Sequence, residues 1–203
     1  FKKLVNRYDF IVDIDLGNVK YLEKMGHKPE FILPTAYHKH FEFTSGRKEI
    51  KAEYDCLFFG RYHDKPRRQK ILENLSKKFK FYPKYENIYN SELKRAILAS
   101  KIILNIHQCS IKFSEFLRLT LALSNKRLIV SEPIDNIAPL REGEHIIFSS
   151  TRNLPHKISF YLNHTKEYNR ITRGAYNYIK RNFRMDEYIK RFALEVLEKN
   201  NLH

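Results

Sequence analysis

Short apolar runs alternate with stretches of helical spacing along most of the chain. The runs that predict strands are 8–13, 31–33, 54–59, 79–82, 101–106, 128–130 and 146–148. The run 101–106 is apolar at nearly every position, which is typical of a strand that is buried on both faces of a sheet.

Between these runs, apolar residues recur at the three- and four-residue spacing of amphipathic helices. Ile71, Leu72 and Leu75 share one face of a predicted helix over 67–78. Other helices are predicted over 19–25, from an N-cap at Ser91, over 113–123, and in two or three segments at the C-terminal end. The alternation predicts an α/β fold, a Rossmann-like parallel sheet with helices on both faces.

A polar, irregular stretch at 35–53 follows the second predicted strand, and we interpret it as a linker. Because the sequence begins with Phe1 rather than methionine, we expect it to be a piece of a longer protein. We expect neither a membrane span, which needs roughly 18 consecutive apolar residues, nor a signal peptide.

The composition predicts a packed and strongly basic protein. Apolar residues make up 42% of the chain, and the formal net charge is +15. Such a charge attracts nucleic acid, anionic lipid headgroups or phosphorylated small molecules, although a lysine-rich surface that serves solubility is an alternative explanation for most lysines. Cys56 and Cys109 form neither a disulfide framework nor a metal spacing, which fits a reducing compartment.

The loop after the predicted strand 54–59 concentrates this charge. Gly60 is followed by basic residues at Arg61, Lys65, Arg67 and Arg68. Ligands of parallel sheets bind beyond the carboxyl ends of the strands, where glycine permits a close backbone approach and arginine offers a forked donor set to phosphate. The pattern predicts a diphosphate site; the alternative is a glycine turn with a solvated basic face.

The loop after the strand 101–106 is the second candidate. It places His107 at the strand exit, and Glu115 and Arg118 three residues apart on the next helix. The alternatives are a hydrogen-bonded polar residue for His107 and an ordinary surface ion pair for Glu115 and Arg118.

In their order and spacing, these segments resemble the C-terminal half of GT-B glycosyltransferases. The stretches that carry the resemblance are "YDCLFFGRYHDKPRRQKIL", "ASKIILNIH", "FSEFLRLTLALSNKRLIVSE" and "LREGEHIIFSSTRNLPHKISFYLNHTKEYNRITRGAYNYIKRNF". The branch they resemble is the CgeB-like group, close to the large group-1 family.

The resemblance implies the organisation of the chain. Residues 1–45 would end an N-terminal domain and form the interdomain linker. Residues 46–183 would form the domain that binds the nucleotide sugar, and 184–203 a crossover helix. The reaction implied is a hexosyltransferase-type transfer from a UDP- or GDP-linked sugar to a glycan, lipid-linked or protein acceptor. Without most of the acceptor domain, we expect these residues alone to have little transferase activity.

The resemblance also implies roles for the candidate residues. Gly60, Arg61 and Lys65, with Arg67, would hold the donor diphosphate. The backbone at Tyr82 and Pro83 would meet the base, and Arg118 with Glu115 would lie near the ribose and sugar. His107 and Glu115 are the candidate catalytic residues. We expect no metal and no tightly bound cofactor, because cations and the helix dipole would meet the charge of the leaving group.

Two other functions remain open from the sequence. Basic residues interleaved with aromatic ones permit nucleic-acid binding, but no RRM, KH, helix-turn-helix or zinc pattern is present, which disfavours a specific nucleic acid. A non-catalytic membrane-surface or interaction module is the other alternative, because basic residues near the C-terminus could meet anionic lipid. The expected location is the cytoplasm, with peripheral attachment to the inner membrane surface.

Overall fold

The computed structural model describes residues 11–43, 51–108 and 115–199, and it has an α/β architecture. Predictions that involve 8–10, 44–50, Cys109 or the start of the helix over 113–123 lie outside the described residues. The strands and helices, in chain order, are β1 Val12–Asp13, α1 Val19–Lys24, β2 Phe31–Ile32, β3 Tyr54–Leu57, α2 Pro66–Ser76, α3 Asn90–Ala99, β4 Ser100–Asn105, α4 Phe116–Ser124, β5 Leu128–Ser131, β6 Ile147–Phe148, α5 Leu154–Asn163, α6 Thr165–Asn182 and α7 Met185–Lys199.

The main sheet is parallel, which confirms the prediction from the sequence. Its four strands lie in the order β3-β4-β5-β6, and β1 pairs with β2 in a separate parallel sheet of two strands. Side chains of the central strands alternate between two apolar clusters: Ile103 belongs to one, and Ile102 and Leu104 to the other. All three are fully buried, as expected of a strand covered on both faces.

Helices cover both faces of this sheet. α3, α4 and α6 contribute Ile97, Leu119 and Ile179 to one apolar cluster. α2 and α5 contribute Leu72 and Ile158 to the other. Three helices follow β6 in the part of the chain that the structure describes, in agreement with the two or three predicted from the sequence.

The predicted strand 79–82 is wrong. Phe81 makes only one parallel bridge, to Cys56 of β3, on the side of β3 that faces away from β4. Pro83 has no amide hydrogen for a sheet ladder, and the backbone N–H of Lys80 donates to the Asp55 carboxylate at 3.0 Å. Because the proline and the hydrogen bond to Asp55 both limit further pairing, this segment forms a single bridge beside β3 rather than a strand.

Two further predictions need correction. α3 begins at Asn90, after Tyr89 in the N-cap position, so Ser91 lies inside the first turn. The linker 35–53 is not polar throughout, because Ala36 and Tyr37 are buried in the core. Tyr37 exchanges backbone hydrogen bonds with Phe183 and Met185, which fastens this part of the linker to the end of α6.

The connections around β3 create a crevice. From β3 the chain runs first to Phe81 on one side and then, through α3, to β4 on the other. In open α/β sheets, ligands bind at the carboxyl ends of the strands where the direction of the connections reverses. The loops that follow β3 and β4 occupy this position, which is where a ligand site is expected.

Candidate functional site

Two cavities meet at the carboxyl end of β3. The first cavity measures about 510 Å³ and is lined by Phe59, Gly60, Arg61, His63, Asp64, Tyr85, Glu86, Asn87, Ile88 and Tyr89. The second cavity measures about 350 Å³ and is lined by Ile14, Asp15, Thr35, Phe59, Gly60, Glu115, Phe116, Leu117 and Arg118. Both volumes are typical of small-molecule sites, roughly 300–1,000 Å³. Phe59 and Gly60 line both cavities, so one extended ligand could occupy the two together.

Gly60 is at this position because a side chain would not fit. Its φ is +143°, a conformation that residues with a Cβ rarely adopt, and an added Cβ would lie 2.8 Å from Nη2 of Arg118. The Gly60 N–H donates to the carbonyl of Tyr85 at 2.9 Å, which ties the loop to the opposite wall of the first cavity. The backbone between the two cavities is therefore held in one conformation and is open to close approach.

Two buried arginines donate hydrogen bonds to the backbone of this loop. Arg68 of α2 donates to the carbonyls of Ile106 at 2.8 Å and Arg61 at 2.9 Å. Arg118 of α4 donates from Nη2 to the carbonyl of Phe59 at 2.8 Å. Both guanidinium groups lie 5.2 Å from the centre of the Phe58 ring. The two side chains thus connect the loop after β3 to the strand and loop of β4.

Glu115 joins the two arginines. Its carboxylate lies 2.5 Å from Nη2 of Arg118 and 3.2 Å from Nη2 of Arg68. The residue lies at the N-cap of α4 and has a positive φ of 40°. Arg118 is 5% exposed and Arg68 3%, so the alternative of an ordinary surface ion pair is wrong. Burial lowers the pKa of Arg68, and neighbouring Glu115 opposes that effect.

Arg67 forms an ion pair and a hydrogen bond within the protein. Its guanidinium pairs with the buried carboxylate of Glu132, which follows β5, and donates to the carbonyl of His107 at 2.9 Å. Burial raises the pKa of Glu132, but hydrogen bonds from Arg67 and from the backbone N–H of His107 outweigh it, and the pKa lies below its usual range. Arg67 therefore connects the ends of β4 and β5 rather than facing either cavity.

Arg61 and Lys65 both pair with the carboxylate of Asp64 in this loop. The Arg61 side chain is 73% exposed and lies 3.9 Å from the Asp64 carboxylate. Lys65 approaches the same carboxylate at 2.8 Å and occupies the N-cap of α2. The hydrogen bond from Lys65 is the main cause of the lowered pKa of Asp64. Arg61 and Asp64 line the first cavity, and a ligand phosphate there would compete with Asp64 for both cations.

Comparison with known sequences decides the family. Residues 48–193 match a family described as glycosyl transferase-like, and this match spans more than two thirds of the chain. The chain belongs to the glycosyl transferase-like family. The resemblance found in the sequence is thereby confirmed at the level of the family, while the CgeB-like branch stays a prediction. No curated protein matches the sequence.

Solved structures of glycosyltransferases share the fold of this glycosyl transferase-like chain. Anabaena HepE, in complex with UDP and glucose, superimposes with a TM-score of 0.73 at 10% identity, over 96% of this chain and 64% of HepE. TarM from S. aureus superimposes with a TM-score of 0.68 at 11% identity, over 95% of this chain and 45% of TarM. The pneumococcal O-GlcNAc transferase GtfA, in complex with UDP and GlcNAc, superimposes with a TM-score of 0.59 at 14% identity. The match covers 96% of this chain and 46% of GtfA.

These coverages show that the glycosyl transferase-like chain spans between about half and two thirds of its structural relatives. The likeness confirms the α/β Rossmann-like architecture predicted from the alternation of strands and helices. Within residues 11–43, 51–108 and 115–199, no helix is long and apolar enough to cross a bilayer.

Five of the predicted site residues are not part of the two cavity linings: Lys65, Arg67, Tyr82, Pro83 and His107. His107 is buried, and its Nε2 donates to the carbonyl of Pro133 at 2.9 Å. This contact fits the alternative explanation of His107 as a hydrogen-bonded polar residue at a strand end. Tyr82 is also buried, with its N–H donating to the carbonyl of Cys56 at 2.9 Å. Tyr82 and Pro83 do not line the first cavity, whose far wall comes from Tyr85 to Tyr89. Their proposed roles stay predictions.

Glu86 is a site residue that the sequence reading missed. Its carboxylate accepts from the backbone N–H groups of Tyr62 and His63, and it lies 2.5 Å from Nδ1 of the His63 ring. Because these contacts hold the cationic loop against the wall of the first cavity, Glu86 determines the shape of that cavity. Glu86 lies three residues after Pro83 and in no apolar pattern, so its role depends on tertiary contacts alone.

Replacing Glu132 with glutamine tests the buried pair with Arg67. We expect Glu132→Gln to lower the free energy of unfolding at neutral pH by about 1.5 kcal/mol, the scale of a charged hydrogen bond. Because the pKa of Glu132 is lowered in the folded state, its stabilising effect is present above the usual glutamate pKa and is lost as the pH falls through the lowered value. Urea unfolding of both proteins along a pH series measures this, and a gap that does not close in acid contradicts it.

Proposed function

We propose that this chain is the donor-binding part of a hexosyltransferase-type glycosyltransferase. It binds a nucleoside-diphosphate sugar across the two cavities, and the glycosyl group is transferred from there to an acceptor. The observation that carries this proposal is the group of two buried arginines that share one carboxylate beneath Gly60, where the two cavities meet.

The charge of this group favours an anion at Gly60. Arg68 and Arg118 contribute two positive charges against the single negative charge of Glu115, and buried charges are costly unless they are balanced. The N-terminal ends of α2 and α4 lie beside the two loops and add the positive ends of their dipoles. A diphosphate placed between the cavities would meet this field, and so would the negative charge that develops on the leaving diphosphate during transfer.

The linings of the cavities support a proposal for where the two ends of the donor lie. The first cavity contains Arg61 and the aromatic rings of Tyr85 and Tyr89, and it suits a nucleoside and the adjoining phosphate. Side-chain exposure supports this, because Tyr89 is 67% exposed and offers its ring face for stacking. The second cavity contains Glu115, whose carboxylate can accept hydrogen bonds from sugar or ribose hydroxyls.

The relatives guide the choice of nucleotide and acceptor. HepE has been solved with UDP and glucose, and GtfA with UDP and GlcNAc, so UDP-linked sugars are the first candidates, with GDP-linked sugars as the alternative. The second cavity opens towards Ile14 and Asp15 of the N-terminal part of the chain. In this proposal the acceptor, a glycan, a lipid-linked group or a protein, enters from that side.

A thermal-shift screen tests the proposed function. UDP, GDP, ADP and CMP, each with a common sugar conjugate, are added to the chain in excess. A ligand at about 100 times its dissociation constant adds about 2.7 kcal/mol to stability, which raises the melting temperature by several degrees. We expect one nucleoside diphosphate to do this. Binding of random oligonucleotides with no response to any nucleotide would contradict the proposal.

Replacing Arg61 with alanine tests the cationic loop. We expect Arg61→Ala to weaken binding of the nucleoside diphosphate about tenfold, which is the scale of one charge-assisted hydrogen bond to phosphate. The melting temperature of the free protein should stay the same, because the Arg61 side chain is 73% exposed and its ion pair with Asp64 is weak. Arg173→Ala, an exposed arginine on α6, is the control. Equal affinities of the two variants would exclude Arg61 from the site.

A further inference from the structure

We propose that His63 binds a phosphate of the donor in the first cavity, and that it does so only when its ring is protonated. The inference rests on the proposed function and deepens it, because it assigns a further binding residue and a dependence on pH to the same site. The protonated ring donates from Nε2 to a phosphate oxygen, and the neutral ring does not.

Glu86 holds the His63 ring at the wall of the first cavity, which both residues line. Oε2 of Glu86 lies 2.5 Å from Nδ1 of His63, and Oε1 accepts the backbone N–H of His63 at 3.0 Å. From the other side, Nε2 of Gln69 donates to the carbonyl of His63 at 2.7 Å. These contacts fix both the backbone of His63 and one edge of its ring.

The contact with Glu86 determines what the other ring nitrogen can do. An ionised carboxylate only accepts hydrogen bonds, so Nδ1 of His63 carries the hydrogen in this contact. Nε2 therefore gains a hydrogen only when the ring is doubly protonated, and only then can it donate to a phosphate oxygen. The side chain of His63 is 79% exposed, which leaves the Nε2 edge of the ring open to a ligand.

The charges of the surrounding segments make this proton important. Residues 60–65 and 85–89 supply most of the lining of the first cavity, and their formal charges cancel: Arg61 and Lys65 are positive, and Asp64 and Glu86 are negative. Asp64 pairs with both cations, at 3.9 and 2.8 Å. Protonation of His63 gives these two segments a net positive charge, which attracts a diphosphate.

The neighbouring groups do not produce the same dependence on pH. The titratable and charged groups around His63, on the cavity wall and on α2, are Arg61, Tyr62, Asp64, Lys65, Glu73, Tyr85, Glu86 and Tyr89. The hydrogen bond from His63 lowers the pKa of Glu86, and the one from Lys65 lowers the pKa of Asp64, so both carboxylates stay ionised. Burial raises the pKa of Tyr62 and Tyr85, so both phenols stay neutral. Histidine is the residue type whose charge ordinarily changes between about pH 5 and pH 8.

The experiment measures the affinity of the chain for UDP-glucose by calorimetric titration at about pH 5.5 and about pH 8. If GDP is the nucleotide that binds, the probe is GDP-mannose. A nucleotide sugar is used because it lacks the terminal phosphate of a free nucleotide, whose second pKa of about 6 adds a pH dependence of its own. We expect the unmodified protein to bind the probe on the order of tenfold more tightly at the lower pH, the scale of one charge-assisted hydrogen bond.

Two variants of His63 and one control complete the test. His63→Gln removes the titrating ring, and we expect it to bind equally at both pH values, at the level of the unmodified protein at about pH 8. His63→Lys keeps a positive charge at both values, and we expect it to bind at about pH 8 as tightly as the unmodified protein does at about pH 5.5. A gain in binding is a result that a misfolded variant does not produce. The control is His164→Gln, since His164 is exposed, lines neither cavity and also uses its Nδ1, in a contact with the Phe160 carbonyl at 2.7 Å.

The outcomes separate this inference from the proposed function. If the probe binds equally at both pH values, or if His63→Gln keeps the full dependence on pH, the role of His63 is wrong and the donor site stands. The role is also wrong if His63→Lys shows no gain at the higher pH, or if His164→Gln loses the dependence as completely as His63→Gln. If neither UDP-glucose nor GDP-mannose binds at either pH, the proposed function itself fails, and this inference fails with it.

Discussion

Arg118→Leu is expected to lower the free energy of unfolding by about 3 kcal/mol, a large fraction of the stability of a typical domain. The guanidinium group is buried and bonds to Phe59, Asn105 and Glu115. Leucine replaces the volume but leaves the carbonyl and the amide oxygen without a donor. The expected loss is at the lower end of the range for breaking a buried pair, because the Glu115 side chain is 36% exposed and can turn to water.

Urea unfolding and thermal melting measure this loss. For a chain of this size, about 3 kcal/mol corresponds to a fall of about 6 to 12 °C in the melting temperature. Arg95→Leu on α3 is the control, because Arg95 is exposed and the substitution removes the same charge. If Arg118→Leu melts within a degree or two of Arg95→Leu, the arginines beneath Gly60 are not the structural support described above.

Gly60→Ala is expected to abolish measurable nucleotide binding and to destabilise the fold by about 2 kcal/mol. The alanine Cβ would meet Nη2 of Arg118 at 2.8 Å, so the loop or the arginine must move. Either movement changes the junction of the two cavities, where the proposed diphosphate lies. Because this effect acts on the position of the backbone, we expect the affinity to fall by more than in Arg61→Ala.

Gly143→Ala separates steric contact from backbone strain. Gly143 also has a positive φ, of 78°, but an added Cβ there meets nothing within 4 Å, and the residue lines neither cavity. We expect this control to lose about 1 kcal/mol of stability and to bind nucleotide normally. If Gly60→Ala binds nucleotide as well as Gly143→Ala does, the donor does not pass over Gly60.

Much of the fold follows from local patterns. The strand 101–106 was recognisable because nearly every position is apolar, and the structure buries Ile102, Ile103 and Leu104 between two layers of helices. The prediction of a strand over 79–82 is wrong because aromatic residues have a high strand propensity whatever they pack against. Phe81 packs against the apolar cluster that contains Ile102 and Leu104, but within 79–82 it alone forms a bridge to β3.

The candidate site was predicted less completely than the fold. Gly60 and Arg61 could be found because a glycine and cations follow a strand, a local signal. Arg67 belongs to the same local pattern, but its guanidinium pairs with Glu132, a residue far away in sequence, and its role in holding the diphosphate stays a prediction. A charged side chain looks the same in a sequence whether its partner is a ligand or a buried carboxylate. Only the tertiary arrangement of the helices and strands separates the two.

The most direct test of the account is a calorimetric titration of UDP and GDP into the 203-residue chain, repeated with a random oligonucleotide as competitor. We predict that one of the two nucleotides binds with a stoichiometry of one and that the oligonucleotide does not displace it at physiological salt. Binding of the oligonucleotide, with no heat from either nucleotide, would contradict the account and would assign the positive charge of this chain to nucleic acid.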